Sequence, residues 1–105
     1  MAWVYLLLAG LFEVVWSTAM KESHGFTKLV PSIVTLVFML LSFALLAISM
    51  KTLPLGTSYT VWVGIGAIGA FILGVTMFGE SLNPMRVIAV LLIFSGVVLL
   101  KLATK

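Results

Sequence analysis

Apolar residues fill four blocks of roughly bilayer length, and most polar positions fall in the three breaks between them. The first block, residues 2–20, runs into Lys21-Glu22-Ser23-His24-Gly25, where Gly25 supplies a helix stop. After a loop through Lys28, Pro31 suits the first turn of a second helix over residues 31–50. Lys51-Thr52-Leu53-Pro54-Leu55-Gly56 ends that helix, and so short a linker makes helices two and three antiparallel neighbours. A third helix is expected over residues 57–78, stopped by Gly79-Glu80-Ser81-Leu82-Asn83-Pro84 with its Asn-Pro turn, and a fourth over residues 85–102. The pattern predicts an all-α integral membrane protein: one four-helix transmembrane domain, residues 1–105, with four transmembrane helices per chain.

Composition strengthens that reading and excludes several functions. The chain is 63% hydrophobic and 9% charged, with a mean hydropathy of +1.32, outside the range of soluble domains. It has no cysteine, so disulfides, thiolate metal sites and thiol catalysis are ruled out. His24 stands alone, whereas zinc needs three or four protein ligands, so no metal and no cofactor are expected. The first apolar run has no Lys or Arg before it and no small-residue cleavage pattern before Lys21; it reads as a permanent helix rather than a removable signal. The formal net charge is +3, but the basic residues are scattered over helix ends as interfacial anchors, with no stripe for nucleic acid.

The distribution of those basic residues carries information of its own. With four spans, Lys51, Lys101 and Lys105 fall on one side of the membrane, and Lys21, Lys28 and Arg86 on the other. Lys and Arg bias normally sets orientation. Here there is none, so a population inserted both ways is the expectation, beside the plainer account that charge counting is noisy in a small protein. Many transporters build a midplane site from two halves related by an inverted repeat. This chain has no second half, and two copies inserted oppositely would supply one, as an antiparallel dual-topology homodimer.

Glu13 is the charged residue of the first block. A charge at the centre of a membrane helix costs about 2.5–3.5 kcal/mol on insertion scales, so such a residue is functional by default. One helical turn away lie Ala9, Gly10, Trp16 and Ser17. The Trp16 indole can donate to a carboxylate while its ring walls a site for a flat cation, although its place near the helix end also fits an interfacial belt. On helix two, Thr35, Ser42 and Ser49 share a face; Ser42, near mid-membrane, can orient the acid or simply join helices. Tyr59 and Trp62 on helix three add aromatic walls for an organic cation, with a belt role again the alternative for Tyr59.

Gly64-Ile65-Gly66-Ala67-Ile68-Gly69 matches the dinucleotide fingerprint but lies inside an apolar span, without the strand and helix opening that the motif requires. Close packing, with Gly66, Ala70 and Gly74 as a small-residue stripe, or a kink explains these glycines better. In helix four Ala89 and Gly96, seven apart, offer a close face for a dimer seam.

Gly10-Leu11-Phe12-Glu13-Val14-Val15-Trp16, Gly25-Phe26-Thr27 with Pro31-Ser32, and Leu53-Pro54-Leu55-Gly56-Thr57-Ser58-Tyr59-Thr60-Val61-Trp62 together resemble the small multidrug resistance family, over essentially the whole chain. Trp16, Lys51-Thr52-Leu53-Pro54 and Gly64-Ile65-Gly66-Ala67 look like its guanidinium exporter subtype. The resemblance implies a bacterial inner-membrane (plasma-membrane) antiporter in which Glu13 is the shared proton and substrate site. Gly10, Trp16, Ser42, Tyr59 and Trp62 would line or order the pocket, Gly10 giving room beside the acid. Gly64 and Gly66 would bend helix three, and helix four, with Ala89 and Gly96, would dimerise. Thr60 and Val63 depart from the subtype, which favours alanine and threonine or serine there, and both changes bear on substrate range. The expected activity is proton-coupled export of guanidinium-type cations rather than enzymatic catalysis. The rivals are a broad exporter of quaternary ammonium and other lipophilic cations, and a small membrane interaction subunit in which Glu13 pairs with a partner's basic residue.

Overall fold

A computed structural model describes residues 2–104, and Lys105 of the charge balance lies outside them. The elements are α1 (Ala2–Glu22), α2 (Leu29–Ser49), α3 (Leu55–Met77) and α4 (Pro84–Ala103), with no strand among the described residues. All four are long and apolar enough to cross a membrane, the shortest extending about 30 Å at 1.5 Å per residue.

The helix ends follow local chemistry. Ser23, fully buried, donates its hydroxyl to the Met20 carbonyl (2.7 Å) and accepts the Phe26 amide (3.0 Å), which closes the turn after α1. Gly25 lies in that turn at φ +73°, flanked by His24 and Phe26, also at positive φ. α2 starts at Leu29, two residues ahead of Pro31, which still falls in the first turn, where its missing amide hydrogen is not needed. α3 starts at Leu55, directly after Pro54, so the Leu55-Gly56 pair assigned to the linker is already helical. Asn83 caps α4 by accepting the Arg86 amide at 2.9 Å, with Pro84 as the first helical residue.

The four helices form a slab of 42 × 34 × 16 Å. α1 is the central element, packed along α2 and against α3, so α2 and α3, expected as neighbours from their short linker, lie largely apart on either side of it, and α4 approaches the rest of the bundle mainly through α3. No α4 residue is buried, and Ala89 and Gly96 are both exposed. At one end of the slab the Thr57 and Thr104 hydroxyls are 3.1 Å apart, and the Lys101 ammonium lies 4.4 Å from the Trp3 ring centroid.

Glycine sets how closely α1 and α3 approach. A methyl group at Gly10 would stand 2.6 Å from Ile65 Cγ2, Gly66 backs onto the Glu13 carboxylate, and Gly69 receives the Val14 side chain. These are neighbouring positions on one face of each helix, so small residues on either side accept larger ones from the other. The notch therefore runs through Gly66 and Gly69 rather than along Gly66, Ala70 and Gly74: Ala70 is exposed, and Gly74 faces Glu80.

Candidate functional site

Glu13 sits half-buried on α1, at the glycine seam with α3. Its Oε1 atom is shielded from solvent, rests against Gly66 and has no hydrogen-bond partner. Burying an unpaired acceptor costs about 1–3 kcal/mol, more when it is charged, so the chain carries an unmet demand for a donor at this point. The Trp16 Nε1 donor, one turn further along α1, is likewise buried and unpartnered.

The bonds to Glu13 that the sequence allowed from Trp16 and Ser42 are not made in the single chain. Ser42, fully buried, donates instead to the Ala9 carbonyl at 2.7 Å and accepts from Trp62 Nε1 at 2.9 Å. One hydroxyl thereby ties α1, α2 and α3 together one turn below Glu13. Each such bond contributes on the order of 1 kcal/mol net, and its larger effect is to fix the Trp62 indole. Thr35 and Ser49, buried on the same face of α2, satisfy themselves on their own helix, at the Pro31 and Leu46 carbonyls (2.8 and 2.7 Å).

The aromatic residues form a continuous chain. Tyr59 and Trp62 have ring centroids 5.6 Å apart, Trp62 and Phe43 5.7 Å, and Phe43 and Trp16 6.3 Å, within the range of favourable offset and edge contacts. Phe43 is the member that sequence reasoning missed: it follows Ser42 on α2 and carries no polar signal, and only packing reveals that it bridges the two tryptophans. Trp62 is buried, whereas Tyr59 is 53% exposed and turns toward a cavity of about 510 Å³ between α3 and α4. Thr60 and Val63, the departures from the subtype pattern, line that same cavity with Gly96.

Two glycines have different neighbours from those expected. The space at Gly10 is taken by Ile65, so Gly66, not Gly10, provides the room beside the acid. Gly64 faces α4, where a methyl group would run into Val97, and α3 is an uninterrupted helix across Gly64 and Gly66 in this conformation. Chemically, the site combines a carboxylate without an ion-pair partner among the described residues, a free indole donor and a line of aromatic faces, all within a 16 Å slab. That set suits a cation able to donate hydrogen bonds.

Residues 1–93 match the family model described as Small Multidrug Resistance protein. The chain is 53% identical over 104 residues to proteins named Guanidinium exporter from Escherichia coli (strain K12) and Shigella flexneri, covering 99% of each chain. A protein of the same name from Salmonella typhimurium is 52% identical over the same span, again with 99% of each chain covered. With four membrane-spanning helices and enterobacterial relatives named as exporters rather than enzymes, this is a multi-pass protein of the bacterial inner membrane.

Proposed function

The chain belongs to the small multidrug resistance family, and from that premise we propose that it exports guanidinium-type small cations in exchange for protons. The observation that carries the reading is the Glu13 carboxylate, whose inner oxygen is buried against Gly66 with no donor from its own chain. A proton satisfies such an oxygen, and so does a cation that donates a hydrogen bond to it, so the two compete. Guanidinium is planar and presents several donors in a fork that matches a carboxylate, so it fits both the charge and the geometry.

One chain supplies one acid on an open slab. A second copy inserted in the opposite sense would bring a second Glu13 to a shared cavity, enclosed by Trp16, Phe43, Tyr59 and Trp62, with the buried Ser42 fixing Trp62 from behind. The balance of Lys51 and Lys101, with Lys105, against Lys21, Lys28 and Arg86 supports insertion in both directions. The exposed Ala89 and Gly96 on α4 suit the seam between copies, since small residues let helices approach closely. Gly64 and Gly66 are the positions at which α3 would bend to change access. Occupied sites, by protons or by cation, would permit the change and empty sites would not, so that inward proton flow drives export.

The rival that keeps an observation of its own is export of bulkier quaternary ammonium ions, which the apolar cavity beside Tyr59, Thr60 and Val63 has room to admit. Transport of guanidinium and tetraethylammonium by the purified protein in liposomes separates the two. Guanidinium should be carried at least about 10-fold more efficiently, since each lost hydrogen bond to a charged group costs about 1.5–3 kcal/mol. Preference for tetraethylammonium would replace this reading with the multidrug one.

A further inference from the structure

The transport reading leaves unused a polar cluster at one end of the α1–α3 seam. Ser17 and Lys21 continue the Glu13 face of α1 at four-residue spacing, and the buried Gly74 lies about two turns beyond Gly66 on α3. There the seam opens into a cavity of about 160 Å³ whose lining includes Ser17, Thr18, Lys21, Gly74, Phe78 and Glu80. The chain folds back over the end of α3, with the Phe78 and Glu80 amides both donating to the Gly74 carbonyl (3.2 and 3.0 Å) and Gly79 at φ +68°. This turn presses the Glu80 carboxyl group against Gly74, where a methyl group would lie 2.7 Å from Glu80 Cδ.

The Glu80 carboxylate already holds a guanidinium, that of Arg86. Arg86 Nη2 donates to Glu80 Oε1 at 3.0 Å, and Nη1 donates to the Ser81 carbonyl and reaches the Ser81 hydroxyl at 3.4 Å. The Cζ atom stands 5.0 Å from the Phe71 ring centroid. A carboxylate, a carbonyl acceptor and an aromatic face are the elements that recognise this cation in general. The two partners are 33% and 44% exposed, so the pair is weak enough to open to solvent.

We propose that Glu80 is a peripheral site for guanidinium-class cations at the mouth of this cavity, and that Arg86 is a built-in competitor for it. An arriving cation exchanges with the Arg86 side chain and waits one seam away from Glu13. Lys21 on the α1 wall opposes tight binding, which suits a site that must release its ion as readily as it takes it up. The proposal rests on the guanidinium transport reading; in an antiparallel pair, each side of the membrane would carry one such mouth.

Initial rates of guanidinium transport against concentration test it. Glu80→Gln should raise KM about 2- to 5-fold with kcat unchanged, the range a solvent-exposed ion pair supports. Arg86→Gln, which frees the carboxylate, should lower KM by a similar factor, and the double variant should behave like Glu80→Gln alone. A pair that only closes the loop is lost equally in either single variant, so KM shifts in the same direction would overturn the proposal. Arg86→Lys retains the charge that closes the loop but lacks the planar fork; it too should lower KM, and an unchanged value would count against the idea even if Arg86→Gln misfolds. Wild-type protein that carries no guanidinium would defeat the transport reading and this proposal together, whereas wild-type transport with concordant KM shifts defeats this proposal alone.

Discussion

Glu13→Gln is expected to abolish guanidinium transport while leaving the helical fold in place. Glutamine has nearly the same shape as glutamate, and its amide can occupy the space against Gly66, so the α1–α3 seam is not disturbed. What disappears is the charge that pairs with the cation and the atom that takes up the exchanged proton. Removing one partner of a desolvated, hydrogen-bonded charge pair costs about 2–5 kcal/mol, which corresponds to at least a 30-fold loss of cation affinity even before the loss of proton exchange. Glu13→Asp keeps an acid but withdraws it by one methylene from Gly66 and toward α1. It should therefore retain exchange with a displaced pH dependence. Transport measured across a pH series, with circular dichroism as the control on fold, distinguishes these outcomes; a Glu13→Gln protein that still exchanges guanidinium for protons would remove the acid from the mechanism.

The second large effect is expected at a residue with no polar group. In Gly66→Ala the added methyl group runs directly into the Glu13 carboxyl group. Either the carboxylate leaves its place or α1 and α3 separate, and in both cases the acid loses the geometry on which exchange depends. Overpacking of this kind typically costs about 1–3 kcal/mol, so thermal stability should fall along with transport, the latter by 10-fold or more. Gly56→Ala is the matched control, because Gly56 is helical and nothing lies within 4 Å of the position that its added methyl group would occupy. Equal activity in Gly66→Ala and Gly56→Ala would show that the fit between Gly66 and Glu13 does not matter.

The number and type of elements were legible in the hydropathy pattern because a membrane span must satisfy its own backbone and remain apolar for its full length. The starts of α2 and α3 were less so. Leu29 and Leu55 read equally well as linker or helix, and the prolines that mark these ends fall inside the first turn in one case and just before it in the other. Glu13 was legible for an energetic reason, as a costly charge without a local partner. The partners of Ser42 were not: one is the backbone carbonyl of Ala9, which every residue possesses and no side chain announces. Phe43 and the exchange of roles between Gly10 and Gly66 depend on the rotation of each helix about its axis, which apolar helices specify only weakly in sequence. Glu80 and Arg86 read as separate end charges, since six residues do not bring two side chains onto one helical face; the non-helical stretch 81–83 ahead of α4 brings them together.

The central claim is that one membrane-embedded acid holds either a proton or a planar cation and exchanges them across the bilayer. An outward guanidinium gradient imposed on sealed proteoliposomes containing only this protein, with internal pH followed by a trapped dye, tests it most directly. Guanidinium leaving down its gradient should draw protons inward and acidify the lumen, with no such change in protein-free liposomes. Guanidinium efflux through the protein at constant internal pH would contradict the account.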